Sequence, residues 1–587
     1  MPVALTQNGA RILDSGIVPD AGVARFNGTT KYDTLSSRHL PRAGASNAWF
    51  ITTFGGVLAM SRTPLFAAVK KALARSFHEQ GLVVPRTSAL TRRRLLRLSA
   101  AAAGAAALSP VLDWSAYAKQ ERPKGLVAII GGGVAGLTAA YRLLAAGGKP
   151  VLFEASNRWG GRMFTVYDFY QGMFVELGGE FVDSTHEDLQ NLAKEVGVEM
   201  QDLTVEGGED LYFFKSQFHT PKDMVDPATQ TGAFLPVAKQ IAEDQAKLTD
   251  KNDNWTKHAR KLDNVSIKAY LDQFRGKAED WVLDLLDVAY NIEFGLLTED
   301  QSSLAMVDFI GTDMAEPYAM YGESDEKYRI RGGSSALINA LVDKLKDKIE
   351  MKQGWALNAL DYKGGQIVLG FDAPGGPQTQ SFDAVILTLP FTKLRQCKGL
   401  ESLRLSPEKL KTIRELGYGI NAKVIVGTTS RVWRKSDSGL PAPSNGSFYS
   451  DLRFQTLWES SRNQPGEAGV LTDFLGVLPG INDGKTALDA FKADLPKMSQ
   501  KMADSLDPNA VTSWFWEAYP FTLGSYASCK VGQYTTMLEE AAEPALGGRL
   551  QFAGEHTSGD FLGFMNGGVQ SGDRAAAALV KVMALHK

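Results

Sequence analysis

The stretch that most constrains this chain of 587 residues is 125–162, where two short apolar runs lie on either side of a glycine cluster. Residues 127–130 have the composition of a buried parallel strand, and the pattern G-x-G-x-x-G follows at 131–136. Residues 137–146 then show a helical pattern. Strand, glycine turn and helix in this order predict the phosphate-binding part of a dinucleotide-binding unit.

Each glycine of the cluster has a separate purpose in such a unit. Gly131 permits the tight turn, Gly133 lets a pyrophosphate approach the backbone, and Gly136 lets the helix pack closely on the strand. The first N–H groups of the helix and its dipole face the anion. A second apolar run, 150–153, ends at Glu154, and an acid about 20 residues beyond the glycines is placed to accept hydrogen bonds from a ribose diol.

The residues after Glu154 indicate which dinucleotide is bound. They form a second glycine turn with two guanidinium groups that suit the far side of a pyrophosphate, namely Arg158, Gly160, Gly161 and Arg162. The pattern E-x-x-x-R-x-G-G-R resembles the flavin-containing amine oxidases, a family of monoamine, polyamine and L-amino-acid oxidases in which it marks FAD. The resemblance implies an α/β fold, with a Rossmann-like FAD-binding domain of the glutathione-reductase type interleaved with a substrate domain of mixed sheet and helices.

The resemblance extends from about residue 125 to residue 579, and it implies the order of the domains along the chain. The FAD-binding domain is expected to consist of residues 122–185, 329–395 and 525–587. The substrate domain is expected to consist of residues 186–328 and 396–524. Residues 1–90 precede the resemblance and form an extension of unknown role.

Several further positions match segments that face the cofactor in this family. One segment resembles its E-x-G-G-x-x-V motif, and another resembles the strand whose backbone meets the adenine. The last helix is expected to point its N-terminus at the flavin N1–C2=O edge, where reduction develops negative charge. The cofactor-side residues that the resemblance implies here are Gly178, Gly179, Trp355, Gly554, Glu555 and Met565.

The resemblance also implies three catalytic residues. Lys423 matches the family's flavin-facing lysine, which is expected to bridge to flavin N5 through a water and to favour negative charge on oxygen as oxygen is reduced. Tyr526 and Phe564 match the two aromatic positions that flank the substrate amine. Ser525 stands where enzymes with covalently attached FAD carry a cysteine, and serine cannot form that thioether. We therefore expect non-covalent FAD.

Two positions bear on the substrate. An α-carboxylate in a dry aromatic pocket needs a partner, usually arginine, because an unpaired buried charge is costly. The related L-amino-acid oxidases carry that arginine where this chain has Phe181. Asp183 falls where some polyamine oxidases place an acid that meets a distal ammonium group, and Glu180 is close in sequence. Both acids are also compatible with a solvated loop.

The resemblance therefore implies oxidation of a primary or secondary amine to an imine, with oxygen reduced to hydrogen peroxide. The alternatives are an L-amino-acid oxidase, an amine dehydrogenase that passes electrons to a periplasmic carrier, and a flavoprotein that binds FAD without turnover. Lys423 and the aromatic pair argue against the last, since binding alone does not require them. Arg329 and Arg331 are candidates to restore recognition of an amino acid.

Composition excludes other classes of function. The formal net charge is −3 and no lysine or arginine block lies outside the N-terminal region, so the chain has no electrostatic signature of nucleic-acid binding. Its two cysteines, Cys397 and Cys529, are too few for a disulfide framework, and no Cys/His cluster has the spacing of metal ligands. The oligomeric state is left open between a monomer and a homodimer.

Residues 91–118 have the pattern of an export signal. T-R-R-R-L-L-R opens an alanine-rich apolar run that ends in A-Y-A, a small-x-small cleavage pattern. The segment resembles a twin-arginine signal, whose translocase carries proteins already folded around a cofactor. This predicts a periplasmic or secreted enzyme that begins near Lys119, although about ninety residues precede the signal and Met60 is a candidate initiator. The alternative is a basic amphipathic helix on a cytoplasmic protein.

Replacing Arg92 and Arg93 together by lysine should leave FAD-loaded protein in the cytoplasm. A twin-arginine pair is read by a receptor, so the change matters although the charge is kept. The measurement is the distribution of flavin-containing protein between cytoplasm and periplasm, with Arg86→Lys as the matched control outside the motif. Normal export of the double variant would contradict the assignment.

Overall fold

The computed structural model describes residues 125–219, 235–251, 254–309 and 325–585. The predicted export signal and the N-terminal extension lie outside these residues. Twenty strands occur in the described part of the chain. They are Val127–Ile130 (β1), Val151–Glu154 (β2), Thr165–Tyr170 (β3), Met173–Glu176 (β4), Phe181–Val182 (β5), Met200–Asp202 (β6), Glu209–Phe214 (β7), Gln217–His219 (β8), Tyr328–Ile330 (β9), Glu350–Gln353 (β10), Ala356–Lys363 (β11), Gln366–Ala373 (β12), Gly376–Phe382 (β13), Ala384–Leu387 (β14), Ala422–Thr428 (β15), Ser444–Ser450 (β16), Thr456–Glu459 (β17), Gly469–Leu475 (β18), Leu506–Phe515 (β19) and Leu550–Phe552 (β20).

The described residues also form fourteen α-helices, most of them short. They are Val134–Ala145 (α1), Glu187–Val196 (α2), Leu235–Gln245 (α3), Lys257–Asp263 (α4), Ile267–Asp272 (α5), Asp280–Phe294 (α6), Ser303–Phe309 (α7), Ser334–Leu345 (α8), Phe391–Leu394 (α9), Pro407–Glu415 (α10), Gly484–Met498 (α11), Gln500–Asp504 (α12), Tyr534–Met537 (α13) and Met565–Leu585 (α14). None of these helices is long and apolar enough to cross a membrane.

A five-stranded parallel sheet contains the glycine-rich unit. Its strand order is β10-β2-β1-β14-β20, so segments that are distant in sequence become neighbours. The two faces of β1 enter different cores, because successive side chains of a strand point to opposite sides. Ile129 packs with residues of α1, α8 and α14, whereas Ile130 joins a core that includes the antiparallel sheet β11-β12-β13. The parallel sheet is thus covered on both faces.

A seven-stranded mixed sheet forms the second large layer. Its order is β19-β15-β18-β17-β16-β7-β8, and only β16 and β7 pair in parallel. β15 is a central strand between β18 and β19, and α11 packs against β15 and β19. This arrangement pairs Lys423 with Phe474 on one side and Trp514 on the other. The predicted combination of an α/β nucleotide-binding layer with a mixed sheet and helices is confirmed.

Two local expectations differ from the structure. The first helix begins at Val134 instead of 137, because Gly133 serves as its N-cap and the helix starts within the glycine cluster. The strand expected near Trp355 is β11, which lies in the antiparallel sheet, while β10 just before it joins the parallel sheet. The domain boundaries drawn from the sequence stay a prediction.

Asp473 on β18 is an acid in an apolar core without a hydrogen-bonding partner. It is 1% exposed, and neither carboxylate oxygen has a partner among the described residues. Its strand neighbours are Val424 and Leu457, which belong to the core beneath the mixed sheet. Burial raises the pKa of Asp473 well above its usual range, because a carboxylate is poorly solvated there. Burial therefore favours the protonated form of this acid in the folded state.

Asp473→Asn should stabilise the protein at about pH 8 and have little effect near pH 4. An acid whose pKa is raised by folding contributes stability below its unfolded value of about 3.9, and this contribution is lost as the pH rises through the folded value. The amide cannot ionise, so it avoids that loss. The measurement is Tm as a function of pH, with exposed Asp347→Asn as the control. A Tm difference that is independent of pH would contradict the prediction.

Candidate active site

A cavity of about 570 Å³ is lined by residues of both large sheets. Most of the residues singled out in the sequence line it, although they come from distant parts of the chain. These residues are Gly131, Gly133, Glu154, Gly160, Gly161, Arg162, Gly178, Gly179, Phe181, Asp183, Trp355, Lys423, Tyr526, Gly554, Glu555, Phe564 and Met565. Gly136 and Arg158 are not among the lining residues.

The glycine turn after β1 forms one end of the cavity. Gly131 has φ +111°, and a Cβ there would lie 2.4 Å from the Thr388 hydroxyl, so only glycine fits without strain. A Cβ on Gly133 would meet no protein atom closer than Gly161 Cα at 3.9 Å. Helix α1 begins directly afterwards, and its N-cap supplies no side-chain hydrogen bond. The turn therefore presents an uncapped helix N-terminus to an open space, which suits an anion.

The two residues outside the lining support the glycine turns. A Cβ on Gly136 would lie 1.9 Å from the Gly131 carbonyl oxygen, which explains the need for glycine where helix meets strand. The Arg158 guanidinium stacks 3.8 Å from the centre of the Phe164 ring and donates to the carbonyls of Gly161 and Met163. Arg158 thus braces the second glycine turn in this structure, and its contact with a pyrophosphate stays a prediction.

Glu154 is buried at the end of β2 and is held by two backbone groups. Its Oε2 accepts the N–H of Gly132 at 2.7 Å, and its Oε1 accepts the N–H of Ser156 at 2.8 Å. A carboxylate has about four acceptor positions, so capacity remains for a diol. The backbone N–H of Trp355 donates to the Glu154 carbonyl at 2.9 Å, which brings Trp355 to the same end of the cavity.

An ion pair joins the second glycine turn to the C-terminal part of the chain. Arg162 Nη1 donates to Glu555 Oε1 at 2.7 Å and to the Ser525 carbonyl at 2.8 Å. The other oxygen of Glu555 accepts the N–H of Gly563 at 2.7 Å, just before α14. Met565, the first residue of α14, lines the cavity. The N-terminus of α14 therefore also borders the cavity. It comes from the C-terminal part of the chain, whereas α1 follows the first glycine turn.

Aromatic rings line the other end. The Tyr526 hydroxyl donates to the Glu293 carbonyl at 2.8 Å, in the last turn of α6. The Phe564 ring packs against His186 with ring centres 5.0 Å apart. The Phe181 ring packs against Trp458 with ring centres 5.2 Å apart. Each ring has a defined neighbour, so the shape of this end is largely fixed before a ligand binds.

Lys423 extends from β15 into the cavity wall and uses all three of its ammonium donors. Nζ lies 3.0 Å from the Glu176 carbonyl oxygen, 2.9 Å from the Gly178 carbonyl oxygen and 3.1 Å from Glu180 Oε2. A lysine ammonium has three N–H donors, so these contacts satisfy it. The expected water bridge from Lys423 to a flavin would need one of these donors, and it stays a prediction.

Asp183 and Glu180 are both buried, although the sequence left a solvated loop open for them. Asp183 Oδ1 accepts the N–H of Glu326 at 2.9 Å, and Oδ2 lies 3.5 Å from His186 Nε2. His186 Nδ1 accepts the Asp183 N–H at 3.0 Å, so the ring proton belongs on Nε2. Burial lowers the pKa of His186 to about 3, which keeps the ring neutral.

Glu326, which the sequence did not reveal, also lines the cavity. Burial and the neighbouring charge of Asp183 raise its pKa well above the usual range. A cation placed nearby would oppose this shift and favour the carboxylate. The two acids give this part of the cavity a preference for positive charge.

The arginines that could bind an α-carboxylate lie elsewhere. Arg329 donates to Gln201 Oε1 and to the Ser460 carbonyl, each at 2.9 Å, and Arg331 pairs with Glu199 in an exposed position. Neither lines the cavity. Among the described ranges, the one arginine that does is Arg162, whose guanidinium is held by Glu555 and the Ser525 carbonyl.

Sequence reasoning missed several lining residues of the mixed sheet and the loops beside it. Their types carry no motif, and they reach the cavity only because β15, β18 and β17 pair in that order. The one available signal was the aromatic density of the stretch that follows β19. The missed residues include Asn421, Trp458, Phe474 and Tyr519.

Comparison with known proteins identifies the family. A sequence model described as flavin containing amine oxidoreductase matches residues 134–580, and the chain belongs to this family. Curated relatives include the L-amino-acid oxidase of Bungarus fasciatus, 25% identical over 486 residues, with 78% of this chain and 87% of the relative covered. The L-amino-acid oxidase of Naja atra is 24% identical over 476 residues, with 77% and 87% covered.

Solved structures show the same fold. Cyclohexylamine oxidase from Brevibacterium oxydans has a TM-score of 0.66 and 21% identity, covering 78% of this chain and 99% of its own. A putrescine oxidase bound to putrescine has a TM-score of 0.63 and 19% identity, with the same coverage. The family implies a flavin, and the cavity fits one: it offers the uncapped α1 terminus, the open space at Gly133 and the Glu154 carboxylate.

Gly133→Ala should leave the fold intact and weaken FAD binding by about tenfold or more. The added Cβ would meet protein atoms only at ordinary van der Waals distance, 3.9 Å from Gly161 Cα, but it fills the space next to an anion at the helix terminus. The measurements are Tm of the apoprotein and the Kd of FAD. The controls are Gly207→Ala, which adds a Cβ in open space, and Gly136→Ala, which should fail to fold. Unchanged FAD affinity in Gly133→Ala would contradict this placement.

Proposed function

We propose that this chain binds FAD non-covalently and oxidises a primary or secondary amine. The observation that carries the proposal is the substrate end of the cavity, which combines the rings of Phe181, Tyr526 and Phe564 with the carboxyls of Asp183 and Glu326. Among the described ranges, the one arginine that lines the cavity is Arg162, and its guanidinium is already paired with Glu555. Such a lining accepts an amine more readily than a carboxylate, because a buried carboxylate needs a cationic partner.

The reaction removes two electrons and two hydrogens from the C–N unit and leaves an imine, which water hydrolyses to an aldehyde. FAD, when bound, supplies the acceptor for the hydride equivalent. Oxygen then takes the two electrons and two protons and leaves as hydrogen peroxide. A periplasmic electron carrier in place of oxygen would make the chain a dehydrogenase, with the same amine chemistry.

The protein's own residues orient the amine. The rings of Tyr526 and Phe564 bound the space on two sides, and the hydrogen bond from Tyr526 to the Glu293 carbonyl fixes the first ring. Asn421 and Tyr526 line the cavity, and both are fixed by donating to carbonyls in the last turn of α6, those of Ile292 and Glu293. The carboxyls of Asp183 and Glu326 would attract an ammonium substrate, and the surrounding apolar rings would exclude water from the neutral amine.

An L-amino-acid oxidase is the second candidate, because the curated relatives carry that name. Phe181 offers an α-carboxylate no partner, and Arg329 is held by Gln201 and a backbone carbonyl. Three cationic residues of the described ranges line the cavity, and each has a partner: Arg162 pairs with Glu555, Lys423 pairs with Glu180, and Lys393 donates to Gln396 Oε1. The described residues therefore support the amine more strongly than the amino acid.

We also propose that the protein is exported by the twin-arginine translocase with FAD already bound. The arginine motif and cleavage pattern at residues 91–118 support this, as does a non-covalent cofactor that has to be enclosed before export. The mature chain would act in the periplasm or outside the cell.

Amines should be oxidised faster than the corresponding amino acids. The test compares kcat/KM within two matched pairs, phenethylamine against phenylalanine and cadaverine against lysine. Turnover is followed by the release of peroxide and, separately, by the reduction of an artificial electron acceptor. The second ammonium group of cadaverine should raise its kcat/KM, because the acids Asp183 and Glu326 line the cavity. Replacing Glu326 by glutamine should lower kcat/KM for cadaverine by about tenfold and that for phenethylamine much less. Faster turnover of the amino acid in both pairs would favour the second candidate.

FAD should be released when the purified protein is precipitated with acid. Ser525 donates to Asn421 Oδ1 at 2.8 Å, and a hydroxyl in this position forms no thioether with a flavin. The thiols of Cys397 and Cys529 are both buried, and only Cys397 lines the cavity. The measurement is flavin absorbance in the supernatant against the pellet. Flavin that stays with the denatured chain would contradict non-covalent binding, and Cys397→Ser would then test the remaining thiol.

A further inference from the structure

Lys423 and Glu180 form a buried ion pair in the wall of the cavity. Their side chains are only 5% and 4% exposed, and the two charged groups are 3.1 Å apart. The residues come from β15 and from the segment just before β5, and 243 positions separate them in sequence. Both line the cavity, so the pair is close to whatever occupies it.

The Glu180 carboxylate is fixed on all sides. Its Oε2 also accepts the indole N–H of Trp458 at 3.0 Å, and its Oε1 accepts the Ser460 hydroxyl at 2.9 Å. Ser460 in turn lies 2.7 Å from the Thr472 hydroxyl. The ammonium is held by this carboxylate and by two backbone carbonyls, so it cannot turn toward the cavity without losing a contact.

We propose that Glu180 limits the reactivity of the reduced cofactor with oxygen by neutralising the charge of Lys423. A positive charge beside the flavin ring favours the transfer of electrons to oxygen, because oxygen becomes an anion as it is reduced. The carboxylate at 3.1 Å cancels most of that effect at a distance. This inference rests on the proposed function, because that function places FAD in the cavity. It extends the proposed function by assigning the choice of electron acceptor to one residue, Glu180.

The redox balance is the same with either acceptor. Two electrons and the accompanying protons leave the reduced cofactor, and they pass to oxygen to give hydrogen peroxide or to an external carrier. Only the first route builds negative charge on oxygen next to Lys423. The ion pair therefore changes the ratio of the two rates.

The two partners of the pair should have opposite effects when they are removed. Glu180→Gln keeps the shape and an acceptor for Lys423 and Trp458, but it leaves the site one charge more positive. We expect reoxidation by oxygen to become about 10- to 100-fold faster. Lys423→Met leaves the site one charge more negative, and reoxidation should become slower by a similar factor. The double variant restores neutrality and should lie near the parent.

The rates are measured on FAD-loaded protein reduced anaerobically with dithionite and mixed with oxygenated buffer. Reduction by dithionite requires no amine, so the result does not depend on the substrate. Reoxidation by an artificial carrier is measured in parallel and should change much less.

The flavin midpoint potential gives a readout that does not depend on activity. It should become more positive in Glu180→Gln and more negative in Lys423→Met, because a positive charge stabilises the electron-rich reduced form. An ion pair with a purely structural role would only hold β15 against the segment that precedes β5. Its removal would not shift the midpoint potential in opposite directions in the two variants. The potential thus separates an electrostatic role from a structural one.

Glu459→Gln is the matched control. Glu459 is also a buried carboxylate that accepts an indole N–H, that of Trp433 at 2.7 Å, and pairs with a cation, Arg434 Nε at 2.7 Å. It does not line the cavity. Its removal should affect Tm and leave the reoxidation rate and the flavin potential near the parent values.

Unchanged or slower reoxidation in Glu180→Gln, or effects of the same sign in both single variants, would overturn the inference. Should Glu180→Gln fail to hold FAD, the double variant is compared with Lys423→Met, and it must react faster with oxygen by the same factor of about 10- to 100-fold. A parent protein that holds no FAD would refute the proposed function together with this inference. A parent that holds FAD but turns over no amine would refute the substrate assignment alone.

Discussion

The ion pair between Arg162 and Glu555 is the interaction on which the site depends. It joins the second glycine turn to a segment 393 residues later, and both partners line the cavity. Arg162 also holds the Ser525 carbonyl, next to Tyr526, while Glu555 holds the N–H of Gly563. One partly buried pair therefore connects the second glycine turn with the loops that carry both aromatic residues. Removing either partner would leave the other charge without compensation in a poorly solvated place.

This coupling explains how a cavity assembled from distant segments keeps a defined shape. The glycine turns bring backbones so close that a Cβ on Gly178 would lie 1.8 Å from the Arg162 carbonyl oxygen. The same turn directs the Gly178 carbonyl toward Lys423. Backbone packing on the nucleotide side thereby sets the position of the ammonium on the mixed sheet. The packing of the glycine turns and the position of the Lys423 charge therefore depend on each other.

The local features of the nucleotide side could be predicted from the sequence, because strand, glycine turn, helix and acid follow one another within 125–162. Lys423, Tyr526 and Phe564 were predicted through the family resemblance, and the structure places all three in one cavity. The contact between Lys423 and Glu180 could not be predicted, since it depends on strand pairing and on a segment far away in sequence. The burial of Asp473 could not be predicted either, because a single acid in a strand carries no sequence signal of its burial.

The most direct test of the proposed amine oxidation mixes FAD-loaded protein with an amine in the absence of oxygen and follows the visible absorption of the flavin. We expect phenethylamine and cadaverine to bleach the absorption to the reduced spectrum, and admission of oxygen or of an artificial acceptor to restore it. Protein that binds FAD and keeps its oxidised spectrum with amines, while an L-amino acid bleaches it, would contradict the amine assignment. Protein that is bleached by neither would contradict the proposed catalytic function.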